Sequence, residues 1–244
     1  MTEPPAFSLI VPAHNEAFEI GDALTGVFAA AQAVNLPFEV IVVNDASTDA
    51  TGAIARGAGA RVIDVDKRHI AAVRNAGARE ARGRYLFFVD ADTQINAPVL
   101  RQALAALKAG VVGGGAYVHF DKRANIAIRW TTTIFNAFYM GLCRWAAGCF
   151  MFATRQAFDA VGGFDERLYA TEEIALSRRL KTQGRFVIVP AAVITSSRKM
   201  RLYSNFWPFH MVGRLIVHGP KLLRQRQGLE FWYGDKRETP RKES

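Results

Sequence analysis

The chain has 244 residues, 50% hydrophobic and 22% charged, which suits a sizeable buried core and excludes disordered and collagen-like classes. A net charge of +9 favours polyanionic company: nucleotide diphosphates, nucleic acid or an anionic membrane surface. Two cysteines, Cys143 and Cys149, exclude a disulfide scaffold and lack the spacing of a zinc site, so they read as buried thiols in a reducing compartment.

Thr2-Glu3-Pro4-Pro5 leads directly into a strand without a signal-peptide pattern, so a cytoplasmic protein is predicted. The first half alternates strand and helix patterns. Phe7 to Val11 reads as a strand stopped by Pro12, and residues 16–33 carry Ile20, Leu24, Val27, Phe28 and Ala31 at helical spacing. A second buried strand, Phe38 to Val43, precedes Asn44-Asp45-Ala46-Ser47-Thr48-Asp49, where Ser47 or Thr48 is the predicted cap of a helix running toward Ala58. A short strand at 61–64, a helix at 70–81 and a strand from Tyr85 follow, with Gly83 as the helix stop.

This alternation predicts parallel pairing with right-handed crossovers, a Rossmann-like layered sheet sandwiched by helices. Ligands of such sheets bind outside the carboxyl ends of the strands, which points to the residues after Val11, Val43 and Val89. The second half is less regular. It reads as a helix at 97–109, an extended stretch at 111–120 with Gly113-Gly114-Gly115, and a long aromatic helix at 123–145. A strand at 148–152, a helix at 171–183 and a strand at 185–189 complete it. The best candidate for a membrane span, residues 126–152, is interrupted by Arg129 and Arg144, so a soluble or peripheral protein is expected.

Tyr85 to Asp92 is an apolar strand ending in two carboxylates. Strand side chains alternate, so Asp90 and Asp92 are predicted to point the same way. Two like charges at the end of a hydrophobic strand suit a hard divalent cation bound to diphosphate oxygens. A solvated turn with an Asp helix cap fits the same residues.

Four blocks in order carry a resemblance: Ser8-Leu9-Ile10-Val11-Pro12-Ala13-His14-Asn15-Glu16, Val42-Val43-Asn44-Asp45-Ala46-Ser47-Thr48-Asp49, Val73-Arg74-Asn75-Ala76-Gly77 and Val89-Asp90-Ala91-Asp92. Together with Gly148 and its strand and Thr171-Glu172-Glu173, they resemble the signatures of family 2 (GT-A fold) glycosyltransferases over residues 8–189. The resemblance implies a donor site for a nucleoside-diphosphate sugar, with UDP favoured. Pro12 and Ala13 would set backbone against the base. Glu16 would accept from the ribose, and Asp45 would accept from uracil N3–H. Arg74 and Asn75 would face diphosphate oxygens. Lys67 and Arg68 extend that set or belong to a solvated loop. Asn44 stands where the family often has Asp.

The resemblance further implies that Asp92 binds Mn²⁺ or Mg²⁺ directly, with Asp90 toward the ribose or the metal's waters. Glu172-Glu173 falls where the family carries Glu-Asp, which makes Glu173 the candidate catalytic base and Glu172 its support or an acceptor contact. Two N-terminal helix carboxylates interacting with the dipole would look alike. An inverting outcome comes from the resemblance alone. The Gln-x-x-Arg-Trp motif of processive synthases is missing, so transfer of one sugar is expected.

Residues 1–200 read as the catalytic domain, with a nucleotide-sugar half at 1–110 and an acceptor half at 111–200. Residues 201–244 read as an aromatic and basic extension. Ser196 to Arg201 closes over the diphosphate or forms a basic surface loop. Phe206, Trp207, Phe209, Arg214, Lys221 and Arg224 suit an interfacial helix on anionic lipid, a helix packed on the core, or a dimer contact. The interfacial reading would bring a lipid-linked acceptor and place the protein at the inner face of the membrane. His14, His69, His119, His210 and His218 are scattered and read as non-ligands, with His119 the one to locate relative to the metal. A non-catalytic pseudo-glycosyltransferase scaffold and a sugar-phosphate nucleotidyltransferase are the rivals. The second lacks its Gly-rich phosphate loop, and no nucleic-acid module is recognisable.

Overall fold

A computed structural model describes residues 4–198 together with Met200 and Arg224. Eight strands form one sheet in the order β3-β2-β1-β4-β7-β6-β8-β5. The strands are β1 (Phe7–Ala13), β2 (Phe38–Asp45), β3 (Arg61–Val65), β4 (Tyr85–Val89), β5 (Thr93–Gln94), β6 (Gly113–Phe120), β7 (Phe150–Thr154) and β8 (Phe186–Thr195). The helices are α1 (Ile20–Gln32), α2 (Thr51–Gly57), α3 (Ile70–Glu80), α4 (Ala97–Lys108), α5 (Ile126–Phe135), α6 (Arg155–Ala160) and α7 (Glu172–Gln183). A π-helical stretch, Asn136–Leu142, continues α5.

Strand alternation divides the core into two apolar layers. Leu9, Val11, Val40, Val42, Phe87 and Val89 face the layer shared with α1 and α4. Ile10, Ile41, Val43, Leu86 and Phe88 face the layer shared with α3 and α7. The stripe Ile20, Leu24, Val27 and Ala31 seats α1 on the first layer. α4 begins where the Asn96 side chain accepts from the Val99 N–H at 3.0 Å. Replacing Asn96 by Ala removes that cap at a cost of about 1 kcal/mol.

β3, β2, β1 and β4 pair in parallel, as the alternating pattern predicts. β1 feeds a crossover to β2 on one side, whereas β4 lies on the other, so the sheet changes direction between β1 and β4. Several local readings are corrected. β1 runs through Pro12 to Ala13, because beyond Ile10 it is paired with β2 alone and the missing N–H breaks no two-sided ladder. The α2 cap is Ala50 rather than Ser47 or Thr48; Asp49 accepts from the Thr51 N–H at 3.0 Å and supplies the local anchor.

The second half is mixed rather than simply parallel: β7 is antiparallel to β4 and β6, and β6 is parallel to β8. β8 continues to Thr195, beyond Pro190, because its register with β6 jumps between Ala116↔Val189 and Tyr117↔Ala192. Pro190 falls in that irregularity, where no ladder bond is asked of it. The helix expected at 123–145 starts at Ile126, where Asn125 caps it by accepting from the Ile128 N–H at 2.9 Å. Residues 201–223 and 225–244 lie outside the described residues, and with them the readings made for the aromatic and basic extension.

Candidate active site

The loops leaving β1, β2 and β3 are tied to one another at the carboxyl edge of the sheet. Asp45 is buried at the end of β2, and its Oδ1 accepts from the backbone N–H groups of Lys67 at 2.6 Å and Arg68 at 3.1 Å. His14 Nδ1 lies 2.6 Å from the Asp45 carbonyl, so Nδ1–H donates and Nε2 faces Arg68 Nη1 at 3.3 Å. The Arg68 guanidinium also reaches Asp66 and the Ala46 carbonyl. Asn15, Ala46, Arg68 and Thr171 hold φ of 53°, 49°, 50° and 64°. Left-handed non-glycine residues each cost roughly 1–2 kcal/mol, and these stand at the ends of β1, β2 and β3 and the start of α7.

At the switch point, α3 delivers Arg74 into the interior. Its Nη1 donates to Glu172 Oε1 at 2.6 Å, and its Nη2 donates to Asp90 Oδ1 at 2.8 Å and the Gly148 carbonyl at 2.9 Å. The guanidinium also stands over the Phe164 ring, 5.3 Å from its centroid. A Cβ on Gly77, one turn along α3, would collide with Ile10 and Val43, so only glycine lets this helix sit so close to the sheet. Asp90 and Glu172 hold the guanidinium charged, well above the ordinary arginine range, despite its burial.

Asn75 turns away from this cluster. Its amide donates to the Phe164 carbonyl and Glu166, both at 2.9 Å, and its Oδ1 accepts from the Phe164 N–H at 2.9 Å. It pins the loop before α7. That loop presents Glu172, buried against Arg74, and the half-buried Glu173. Glu173 is pushed up to about 8, first by burial and then by the neighbouring Glu172 charge. Tyr139 Oη donates to Glu173 Oε1 at 3.2 Å. Burial and that carboxylate in turn drive the phenol well above its usual range.

The other carboxylate of the Asp90-Ala91-Asp92 turn meets a second arginine. Arg198 is 3% exposed and donates from Nη2 to both Glu16 oxygens, at 2.8 and 2.7 Å; the same nitrogen is 3.9 Å from Asp92 Oδ2. Ser196 N–H donates to the Asp92 carbonyl at 3.1 Å, and Ser197 Oγ donates to Asp121 at 2.6 Å. Residues 196–198 are thus buried against the end of β4, which rules out a surface loop for this part of 196–201. Cys149 lies beside the same turn, where burial and the charges of Asp90 and Asp92 raise its thiol well above the usual range.

Pro12, Ala13, Glu16, Asp45, Arg74, Asp90, Asp92, Glu172 and Glu173 are therefore set around one edge of the sheet, whereas Asn75 spends its amide on a loop. His119 is exposed on β6. Among the described residues no third His, Cys, Asp or Glu joins Asp90 and Asp92 in a closed metal cage. Asp90 and Asp92 supply hard oxygen donors of the type that hold Mn²⁺ or Mg²⁺ beside phosphate oxygens, and each also faces a buried arginine, Arg74 and Arg198. Sequence reading did not find Tyr139, whose hydroxyl emerges from an aromatic helix, or the pairing of Arg198 with Glu16, which are 182 positions apart.

A layered sheet whose strand order reverses beside a carboxylate-ended strand, with further acidic groups across the edge, is the layout of a GT-A-like fold. The chain belongs to glycosyl transferase family 2, whose model matches residues 8–162. A 4,4'-diaponeurosporenoate glycosyltransferase of Staphylococcus aureus is 43% identical over 60 residues, 25% of this chain and 15% of that protein. The uncharacterized glycosyltransferase EpsJ of Bacillus subtilis is 30% identical over 127 residues, 49% of this chain and 36% of the relative. The chain thus matches well under half the length of these relatives.

Among solved structures, a mannosyltransferase from Pyrobaculum calidifontis in complex with GDP-Man and Mn²⁺ superposes with a TM-score of 0.66 at 21% identity, covering 92% of this chain and 66% of that one. S. aureus TarS in complex with UDP-GlcNAc gives 0.63 at 22% identity, covering 87% and 65%. At such identities the likeness speaks to the fold. No described helix is long and apolar enough to cross a membrane.

Proposed function

We propose that this chain moves one sugar from a nucleoside-diphosphate sugar, with UDP favoured, to an acceptor hydroxyl or lipid phosphate, with divalent-metal dependence and inversion at the anomeric carbon. The observation that carries the reading is the Arg74 cluster. One buried guanidinium ties Asp90, on the donor side, to Glu172, next to the raised carboxyl of Glu173. A donor-holding carboxylate and a candidate base thereby share one fixed framework.

Asp92 and Asp90 would hold Mn²⁺ or Mg²⁺, which supplies positive charge to the departing diphosphate. Asp45 keeps one oxygen on the Lys67–Arg68 backbone, and its other oxygen is the atom to accept from uracil N3–H. Pro12 and Ala13 set the backbone wall beside the base, and Glu16 is the ribose acceptor once Arg198 yields it. Ionised Glu173 takes the proton of the acceptor O–H. The acceptor oxygen bonds to the anomeric carbon while the carbon–oxygen bond to the diphosphate breaks on the opposite face, and the nucleoside diphosphate leaves. Glu172 stays on Arg74 and keeps Glu173 oriented.

A carboxyl raised to about 8 in the free protein is mostly protonated at neutral pH, so kcat/KM is expected to climb as pH rises toward that value. The test pairs calorimetry with turnover. Glu173→Gln is expected to lose transfer by a factor of about 100 or more while UDP binding with Mn²⁺ persists. Asp92→Ala is expected to lose the Mn²⁺-dependent part of UDP binding. Wild-type turnover in Glu173→Gln would remove the base assignment, and absence of Mn²⁺-dependent UDP binding in the wild type would remove the donor reading.

A further inference from the structure

Helix α5 and the π-helical stretch behind it carry Ile126, Trp130, Ile134, Phe138 and Leu142 at 75, 67, 65, 60 and 74% exposure. Each follows the last by four residues, so they line one side of the element. Among the described residues, the exposed large apolar side chains elsewhere are Phe18 and Ile194, which stand apart from this row. An exposed row of five bulky apolar residues exceeds what single surface hydrophobics explain.

The element is not loosely attached. Ile128, Thr132, Asn136 and Met140 are buried on its other side. Asn136 exchanges hydrogen bonds with the Val118 backbone, donating to its carbonyl at 2.8 Å and accepting from its N–H at 3.3 Å. Tyr139 reaches Glu173 from the same side. The body of the protein therefore fixes this helix with its apolar row outward.

The charges around the row choose what covers it. From residue 122 to residue 158 the chain has Lys122, Arg123, Arg129, Arg144 and Arg155 and neither Asp nor Glu. Lys122, Arg123, Arg129 and Arg144 are exposed, bracketing the row at both ends and its middle. Two-fold pairing with a second copy would bring cationic end against cationic end, with no carboxylate contributed by the element itself. A surface of anionic lipid supplies both the hydrocarbon and the opposite charge. The element is too short and too interrupted to span a bilayer.

We propose that this face is a membrane-docking surface: α5 and its π-helical continuation lie in the headgroup plane of an anionic bilayer, with Trp130 and its apolar neighbours inserted and the arginines on lipid phosphates. Because the opposite side of the same element touches Glu173, docking turns the acceptor side of the site toward the membrane. The acceptor is then a lipid-borne hydroxyl or phosphate at headgroup depth. The acceptor's direction rests on the transferase reading; the docking surface does not.

The experiment uses the full chain with vesicles of phosphatidylcholine, with and without phosphatidylglycerol, in a sedimentation assay. Wild-type protein is expected to bind the anionic vesicles, and the double variant Ile134→Glu, Phe138→Glu to bind about tenfold or more weakly. Both positions are exposed, so circular-dichroism melting and calorimetric UDP binding with Mn²⁺ are expected to match the wild type. Three results would overturn the proposal. These are no vesicle binding by the wild type, undiminished binding by the double variant (as when residues 203–244 alone dock), and a wild-type dimer in ultracentrifugation that the variant dissolves without any vesicle binding. Failure of UDP binding in both proteins would remove the UDP-donor reading and leave the docking result standing.

Discussion

Two buried arginines flank the Asp90-Ala91-Asp92 turn, and they are held in different ways. Arg74 projects from the middle of α3, packed on the sheet at Gly77, and its partners come from three separate places: Asp90, Gly148 and Glu172. Arg198 follows the end of β8 and leans on Glu16, with Asp92 at 3.9 Å. Both are 2–3% exposed, so burial does not distinguish them; anchorage does. A cation on a packed helix is a fixed part of the framework. A cation at the end of a strand is held mainly by the carboxylates it pairs with, and a ligand competing for Glu16 or Asp92 meets it directly.

The largest effect separating the two is expected from Arg74→Ala. It leaves Asp90 and Glu172 facing each other without compensation, and removing one partner of a buried pair costs about 3–5 kcal/mol. Urea unfolding measures it. Arg198→Ala is expected to cost less, about 1.5–3 kcal/mol, the scale of hydrogen bonds to a charged group. An equal or larger loss at Arg198 would break the contrast in anchorage.

A pH-dependent effect concerns the carboxyl that neither arginine contacts within ion-pair distance. Glu173 is raised from an ordinary 4.5 to about 8, so the fold favours its protonated form. Its contribution is fully present below pH 4.5 and is lost as pH rises through 8. Glu173→Gln mimics the protonated form. It is expected to leave Tm unchanged near pH 4 and to raise it progressively above wild type between pH 4.5 and 8. A Tm gain that does not vary with pH would contradict the raised carboxyl.

The donor half was the more legible part. Buried runs ending at Val43 and Val89 give strand ends within two residues of those observed, and the residues after them reach the site edge because a parallel sheet aligns its carboxyl ends. Pro12 misled, since one-sided pairing at the end of β1 tolerates it. Arg74 was recognised as important, but its surroundings were not visible: a partner 98 positions away in Glu172 leaves no local periodicity. Arg198 looked like part of a basic loop because Ser196-Ser197 has no apolar face to announce burial, and contact with Glu16 exists only in three dimensions. β5, two residues long, and α6, six residues long, are below the length at which periodic patterns speak.

The π-helical stretch at Asn136–Leu142 sets the angular phase of the residues around it. On an α-helix a step of four residues overshoots a full turn by about 40°, so an unbroken α-helix from Ile126 would carry Leu142 about 160° around the axis. A π-turn takes more residues per revolution, and the same step falls short. Part of the drift accumulated from Ile126 to Ile134 is therefore unwound from Ile134 to Leu142. Ile126 and Leu142, at opposite ends, finish equally exposed at 75% and 74%. An unbroken α-helix over the same residues would instead carry Leu142 to nearly the opposite side of the axis from Ile126.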